Sequence, residues 1–184
     1  MIQPKNIVFI TLSCVVLGLF LASCWGVGWA HWKVINYEKT TNVSIGIWEE
    51  CVWKTKVKEC NGLPEELTNI KYTRGCAMLA VFTSFLTFVF SLAAASNGGS
   101  NVAWTYFCIG LIFAVTVCLG IISGATFTID FEHFKNVKHI SYVNYGWAYT
   151  LNWVGTIVAF LTTILSCSVT FAERNTVSYA TITV

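Results

Sequence analysis

Charged residues are scarce in this 184-residue sequence, and their scarcity excludes most soluble folds. Lys, Arg, Asp and Glu make up 11% of the chain and hydrophobic residues 55%, whereas an ordinary soluble domain is about 25% charged. The few charges are also concentrated, because only Lys5, Glu173 and Arg174 lie outside residues 31–74 and 130–138. The chain is therefore predicted to be a membrane protein in which these two segments are the aqueous loops.

Residues that carry chemistry inside membranes are also missing. The apolar segments contain no Asp, Glu, Lys, Arg or His, the side chains that mark proton relays and ion pathways, so a pump or an ion-coupled transporter is not expected. All three histidines, His31, His133 and His139, lie at loop positions, which argues against helix-bound haem or a buried metal. Neither a Cys-x-x-Cys nor a basic run with interleaved aromatics occurs. We predict no enzyme activity, no cofactor, no metal site and no nucleic-acid binding.

The cysteines divide into two groups. Cys51 and Cys60 are the only two in a polar loop, and their spacing predicts a disulfide that would stabilise the fold by roughly 2–3 kcal/mol. A disulfide requires that its loop face an oxidising compartment. The remaining six lie in apolar runs, where a thiol behaves as a small hydrophobe: Cys14, Cys24, Cys76, Cys108, Cys118 and Cys167.

Four apolar segments are long enough to cross a bilayer, which needs about 20 apolar residues. These predicted spans are residues 7–30, 76–95, 102–129 and 144–170. A long loop (31–74), a short turn (96–101) and a second loop (130–143) connect them, and a tail (171–184) follows. Residues 21–24 resemble a bacterial lipoprotein cleavage site, so a cleaved signal is the alternative for the first span, although three further spans argue against it.

The long loop changes from helical period to strand alternation. Val43, Ile45 and Ile47 alternate with polar residues, and so do the residues between the two cysteines. This pattern predicts a small antiparallel sheet with one apolar face on the helix ends. The expected fold class is an all-α integral membrane protein, a single domain (1–184) with a four-helix bundle and a small extracellular β-sheet.

Residues within the spans predict how the helices pack. Asn152 is the one strongly polar side chain of the fourth span, and we expect it to hydrogen-bond to a neighbouring helix. Trp25, Trp29 and Trp32 recur at helical spacing near the end of the first span, which is typical of an interfacial aromatic belt. Close approach of the third helix to its neighbours is expected at its small residues, Gly110, Ala114, Gly120 and Gly124.

Four spans place both termini on one side of the membrane and both charged loops on the other. The positive-inside rule would put the long loop, with its seven Lys and Arg, in the cytoplasm. We nevertheless expect this loop outside the cell and both termini in the cytoplasm, because six acidic residues accompany the basic ones and the cysteine pair needs an oxidising environment. Asn42, in the only Asn-x-Ser/Thr sequon, is a candidate glycosylation site on the same side.

One motif of the long loop consists of Trp32, Gly46-Ile47-Trp48, Cys51 and Cys60, and is followed by an arginine before the second span, Arg74. This motif and the four-span topology resemble the claudin superfamily, which includes claudins, the peripheral myelin protein 22 and epithelial membrane protein group, lens membrane protein 20 and the calcium-channel gamma subunits. The first loop is somewhat shorter after its second cysteine than in typical claudins, and the short turn lacks their basic residues. Ile47 replaces the usual Leu, and the start of the fourth span is more similar to the myelin protein 22 group. Trp29 is the alternative for the first tryptophan of the motif, although the residues around Trp32 are more similar to the family pattern.

The resemblance implies a plasma-membrane protein of cell–cell junctions that contributes to adhesion and to a paracellular barrier or pore. Its implied partners are the lipid bilayer and other copies of itself or related tetraspan proteins, in the same membrane and in the opposing one. An auxiliary or trafficking subunit of a channel, receptor or integrin is the alternative. Charged side chains that ring a narrow aqueous path select ions, and the candidates here are Lys54, Lys56, Lys58, Glu65 and Glu66.

The C-terminal segment offers two further candidate sites. Ile182, Thr183 and Val184 form a tail that can add a strand to a PDZ domain of a scaffold protein. Cys167, near the predicted cytoplasmic end of the fourth span, is a candidate for palmitoylation, with a plain helix-packing thiol as the alternative.

Overall fold

The fold is a four-helix bundle that carries a five-stranded sheet at one end. The computed structural model describes residues 4–36, 39–54, 57–64, 67, 69–96, 102–138, 140 and 142–182. All four helices are long and apolar enough to cross a membrane, which confirms the predicted fold class. The helices are α1 (Pro4–Trp25), α2 (Ile70–Ser96), α3 (Val102–Val137) and α4 (Trp147–Ile182).

The helices form a closed ring in which each packs on two neighbours: α1 and α3 each contact both α2 and α4. Gly120 and Gly124 of α3 lie where this packing is tightest. A Cβ at Gly120 would lie 2.3 Å from Thr156 Oγ1, and one at Gly124 would lie 2.9 Å from the Trp153 ring. Asn152 Nδ2 donates to the Gly120 carbonyl across 3.0 Å. The predicted close approach is confirmed at Gly120 and Gly124, and so is the predicted interhelical bond of Asn152.

Helix α1 ends at Trp25, before the predicted boundary of the first span at residue 30. Gly26 and Gly28 follow it, and glycine is among the poorest helix formers. Neither position has room for a side chain. A Cβ at Gly28 would lie 2.3 Å from Trp147 Nε1, and one at Gly26 would lie 2.7 Å from Ala148 Cβ. The chain therefore leaves α1 in close contact with the start of α4.

Helix α3 continues to Val137, beyond the predicted end of the third span at residue 129. At 1.5 Å per residue its 36 residues are about 54 Å long, well over the roughly 30 Å of a hydrocarbon core. The segment expected to be a loop from residue 130 is therefore helical over its first half. Phe127, Phe131 and Phe134 lie on one face of this extension and are buried.

The sheet has the order β4-β3-β2-β1-β5, and all neighbouring strands are antiparallel. One face, with Trp32, Val43 and Ile45, is buried against the helix ends, as the alternation predicted. Four strands come from the long loop, and the fifth, which the sequence did not predict, comes from the second loop. The strands are β1 (Ala30–Asn36), β2 (Lys39–Ile45), β3 (Glu49–Lys54), β4 (Val57–Gly62) and β5 (Val143–Tyr145).

Two of the three tryptophans expected in an aromatic belt lie in the core instead. Trp29 is in the connection between α1 and β1, and Trp32 is in β1; they are 0% and 6% exposed. Only Trp25, which is 59% exposed, has the position expected of an interfacial residue. The belt prediction was wrong for Trp29 and Trp32 because the helix ends before them.

Candidate functional site

The disulfide joins the two neighbouring strands at one edge of the sheet, β3 and β4. Cys51 of β3 and Cys60 of β4 are directly opposite in the register, with their Cα atoms 4.1 Å apart, and are joined as predicted. Cys51 is fully buried, whereas Cys60 is exposed like the rest of β4. Glu49 lies within 4.8 Å of both sulfurs, but a disulfide has no thiolate to offer a metal.

Trp48 and Arg74 connect the sheet to two helices at once. The indole Nε1–H of Trp48 donates to the carbonyl of Cys24 across 2.7 Å, and that carbonyl is in the last turn of α1, where a helix leaves it without a partner. The Arg74 guanidinium, on α2, lies 5.2 Å from the centroid of the Trp48 ring, within the range of a cation–π interaction. Arg74 Nε also donates to the Ile47 carbonyl across 2.6 Å. We refer to Cys24, Ile47, Trp48 and Arg74 as the Trp48–Arg74 contact.

Gly46 and Ile47 bring Trp48 into this position. The Gly46 N–H donates to the Glu49 carbonyl across 2.9 Å, closing a tight turn between β2 and β3. A Cβ at Gly46 would lie 2.9 Å from the Gly26 carbonyl oxygen and 3.0 Å from Val27 Cα, so only glycine allows the turn to lie against the end of α1. Ile47 is fully buried beneath the turn. The Gly-Ile-Trp triplet is thus a structural connection between sheet and bundle.

A second connection is made by Trp29, the alternative for the first tryptophan of the motif, whose contacts the sequence did not indicate. Its indole N–H donates to the Ser23 carbonyl across 2.8 Å, so α1 ends with two tryptophan side chains bonded to its last carbonyls. The Trp29 backbone N–H donates to Ile45 of β2, and its carbonyl accepts from Gly146 just before α4, both at 2.9 Å. One residue therefore joins α1, the sheet and α4.

Trp32 joins the sheet to the extension of α3. Its ring packs against both Phe131 and Phe134, with its centroid 5.9 Å from each of theirs. Phe127 continues the same row and lies 4.8 Å from Trp29. Sequence reasoning missed this role for α3, although the spacing of Phe127, Phe131 and Phe134 is the i, i+4, i+7 pattern of one helix face. The charged residues between these phenylalanines, Asp130 and Glu132, are instead typical of a loop.

Two titratable groups of the sheet have shifted pKa values. Burial, and then the charge of Glu132, raises the pKa of Tyr145 to about 12, so its hydroxyl stays protonated and donates to Glu132 Oε1 across 3.3 Å. Burial lowers the pKa of His31. Nδ1 of His31 lies 2.8 Å from Ser44 Oγ across the β1–β2 pair. His31 is therefore neutral at physiological pH and contributes no charge to this face of the sheet.

The candidate pore or contact charges are only partly within the described structure. Lys58 is exposed on β4, and its Nζ lies 5.6 Å from the centroid of Trp53, the residue opposite it on β3. Lys54 ends β3, but its side chain is outside the described residues, as are the whole of Lys56, Glu65 and Glu66. Their grouping with Lys58 remains a prediction.

The other predicted sites are a glycosylation site on the sheet and two sites on or after α4. Asn42 is exposed on β2, on the face opposite the core. Cys167 is exposed on α4. Helix α4 extends to Ile182, whose side chain is not described, and Thr183 and Val184 lie outside the described residues.

A family model described as the PMP-22/EMP/MP20/Claudin family matches residues 6–166. The match includes α2, α3, the sheet, the disulfide and the Trp48–Arg74 contact, with most of α1 and the first 20 residues of α4. No curated protein matches the chain.

Proposed function

Because the chain belongs to the PMP-22/EMP/MP20/Claudin family, we propose that it is a cell–cell junction protein contributing to adhesion and to a paracellular barrier or pore. It is a membrane protein of this generally non-enzymatic family. In the proposed orientation the sheet lies outside the cell, both termini are cytoplasmic, and the protein resides at plasma-membrane junctions. Copies of the chain, or of related tetraspan proteins, associate within one membrane and across the gap.

The observation that carries this proposal is how firmly the sheet is held on the bundle. The indole groups of Trp29 and Trp48, the Arg74 guanidinium and the Trp32 ring connect it to α1, α2, α3 and α4. A surface held this rigidly keeps its shape when it meets a partner, so little ordering entropy is lost on contact. Strand β4 is exposed over its whole length and lies at the edge of the sheet, where another chain can add a strand.

Adhesion is tested by mixing two populations of cells that lack junctions, each expressing the chain with a different fluorescent label. We expect both labels to be enriched at boundaries between expressing cells and not at boundaries with non-expressing cells. A uniform distribution, together with co-purification of one large partner, would instead indicate the auxiliary-subunit function.

A paracellular path is tested through Lys58, the described member of the candidate charges. In an epithelial layer expressing the Lys58→Glu variant, a positive side chain becomes negative, so dilution potentials should shift toward cation preference. Lys71→Glu, an equal charge change on α2 away from β4, is the control. Equal potentials for wild type and Lys58→Glu would contradict a pore lined by this strand.

Three proposed features concern modification and the cytoplasmic side. Asn42 carries the glycan, and Cys167 is palmitoylated. The tail from Ile182 to Val184 binds a PDZ scaffold, which requires an extended strand; because α4 extends to Ile182, binding would require its last turn to unwind.

A further inference from the structure

A cavity of about 510 Å³ lies between the solvent-facing side of the sheet and the ends of two helices. This volume falls within the range of small-ligand sites, about 300–1,000 Å³. Its floor is the end of α1, the glycine-containing connection after it and the first residue of α4. Its roof is formed by β1 to β4. The side chains that matter most for recognition are Trp25, His31, Ser44, Trp53, Lys58 and Trp147.

Three of these side chains are tryptophans that remain partly open. Trp25, Trp53 and Trp147 are 59%, 50% and 54% exposed, although each lines the same cavity. Among the contacts of the described residues, none of their indole N–H groups has a protein acceptor, in contrast to Trp29 and Trp48. The cavity therefore presents indole faces, which attract quaternary ammonium groups, and free indole donors.

Lys58 supplies the positive charge of the cavity. Its ammonium lies 5.6 Å from the Trp53 ring centroid, and the ion pairs recorded for the described residues do not include it. His31 is neutral at physiological pH because burial lowers its pKa. A ligand that fits has a negative group for Lys58 and a quaternary ammonium for the indole rings.

The position of the cavity indicates where that ligand comes from. Trp25 ends one spanning helix and Trp147 begins another, and exposed tryptophan at a helix end lies at the level of the lipid headgroups. Anionic lipids are concentrated in the cytoplasmic leaflet, so the leaflet on the proposed outer side offers zwitterionic headgroups. We propose that this cavity binds the phosphocholine headgroup of a membrane phospholipid, with the phosphate at Lys58 and the trimethylammonium against Trp25, Trp53 and Trp147.

The proposal does not depend on junction formation and is tested on the purified full-length protein in detergent. Native mass spectrometry measures the apparent Kd of the first bound lipid for phosphatidylcholine, phosphatidylethanolamine and phosphatidylglycerol. We expect phosphatidylcholine to bind most tightly. The Trp53→Ala variant should weaken phosphatidylcholine binding about five- to tenfold, as loss of a partly desolvated cation–π contact predicts, and leave phosphatidylglycerol binding unchanged. Lys58→Ala should weaken both lipids.

The control is Trp104→Ala, which removes a tryptophan of similar exposure, 60%, at the other end of the bundle. It should leave the lipid preference unchanged. Trp53→Phe, which keeps an aromatic ring, should weaken phosphatidylcholine binding by an intermediate amount. This variant keeps the proposal testable if Trp53→Ala fails to fold. Equal binding of phosphatidylcholine and phosphatidylglycerol, or equal losses in Trp53→Ala and Trp104→Ala, would overturn the proposal. Displacement of the lipid by an equal concentration of free phosphocholine would overturn its assignment to the membrane.

Discussion

The Trp48–Arg74 contact makes the sharpest stability prediction. Trp48→Phe keeps an aromatic ring under the Arg74 guanidinium but removes the N–H that donates to the Cys24 carbonyl. Cys24 is 1% exposed, so its carbonyl would lose a partner that water cannot readily replace. An unsatisfied buried acceptor costs about 1–3 kcal/mol. For a chain of this size, each kcal/mol lowers Tm by about 2–4 °C, so Trp48→Phe should lower Tm by about 2–12 °C.

Arg74→Lys tests the other half of the contact. Lysine keeps the charge but loses the planar group that donates through Nε to the Ile47 carbonyl and stacks on the ring. We expect a loss of about 1–3 kcal/mol, mostly from the Ile47 carbonyl. Because both side chains meet at one ring, the double variant should lose less than the sum of the two, by about 0.5–1 kcal/mol.

The assay is thermal unfolding in detergent followed by intrinsic fluorescence, together with the fraction of protein that reaches the cell surface. Trp53→Phe is the matched control, because it removes an indole N–H that has no acceptor among the described residues, and its Tm should change by less than about 2 °C. Equal Tm values for Trp48→Phe and Trp53→Phe would refute the assignment of Trp48 as a structural connection.

Three further predictions concern packing, pH and sidedness. Gly120→Ala should destabilise the protein by about 1–3 kcal/mol, because its Cβ would lie 2.3 Å from a threonine hydroxyl of α4, whereas Gly18→Ala, with nothing within 4 Å, should be neutral or stabilising. Burial lowers the pKa of His31 below its ordinary 6.5, so the unfolded chain binds more protons as the pH falls through that value. The Tm should therefore fall with acidification from pH 7.5 to pH 5, and less steeply in His31→Gln than in the control His133→Gln. The protein from mammalian cells should lose mass on enzymatic deglycosylation, and Asn42→Gln, which removes the only sequon, should abolish the shift.

Each of these has a contrary outcome. Equal stability of the two glycine variants would contradict the close packing of α3 on α4. A pH dependence that is the same in both histidine variants would show that the buried imidazole does not control it. Protection of loop 31–74 from trypsin added outside sealed cells would reverse the proposed orientation.

The helix bundle and the disulfide were predictable from the sequence because both follow from short-range sequence patterns. A bilayer requires long uncharged segments, so hydropathy identified the four helices, and the isolation of Cys51 and Cys60 in a polar loop identified the disulfide. The apolar face of the sheet followed from the alternation at Val43 and Ile45. In each case the signal lies within a few residues of the feature it predicts.

What the sequence did not predict depends on contacts between distant residues. Strand β5 has only three residues and exists because it pairs with β1. The extension of α3 is stabilised by Phe131 and Phe134 packing on Trp32, and without that partner its charges are equally typical of a loop. The role of Trp48 required the Cys24 carbonyl, 24 residues earlier, and Arg74 on a different helix. Spacing indicated that these residues matter but not what they contact.

We propose that this chain makes cell–cell contacts through the sheet held on its bundle. Freeze-fracture electron microscopy tests this at contacts between fibroblasts that have no junctions of their own and express the chain. We expect continuous intramembrane strands where expressing cells meet, and their loss in the Trp48→Ala variant measured at equal surface density. Particles that remain dispersed at those contacts, in a protein that reaches the surface and retains its disulfide, would contradict it.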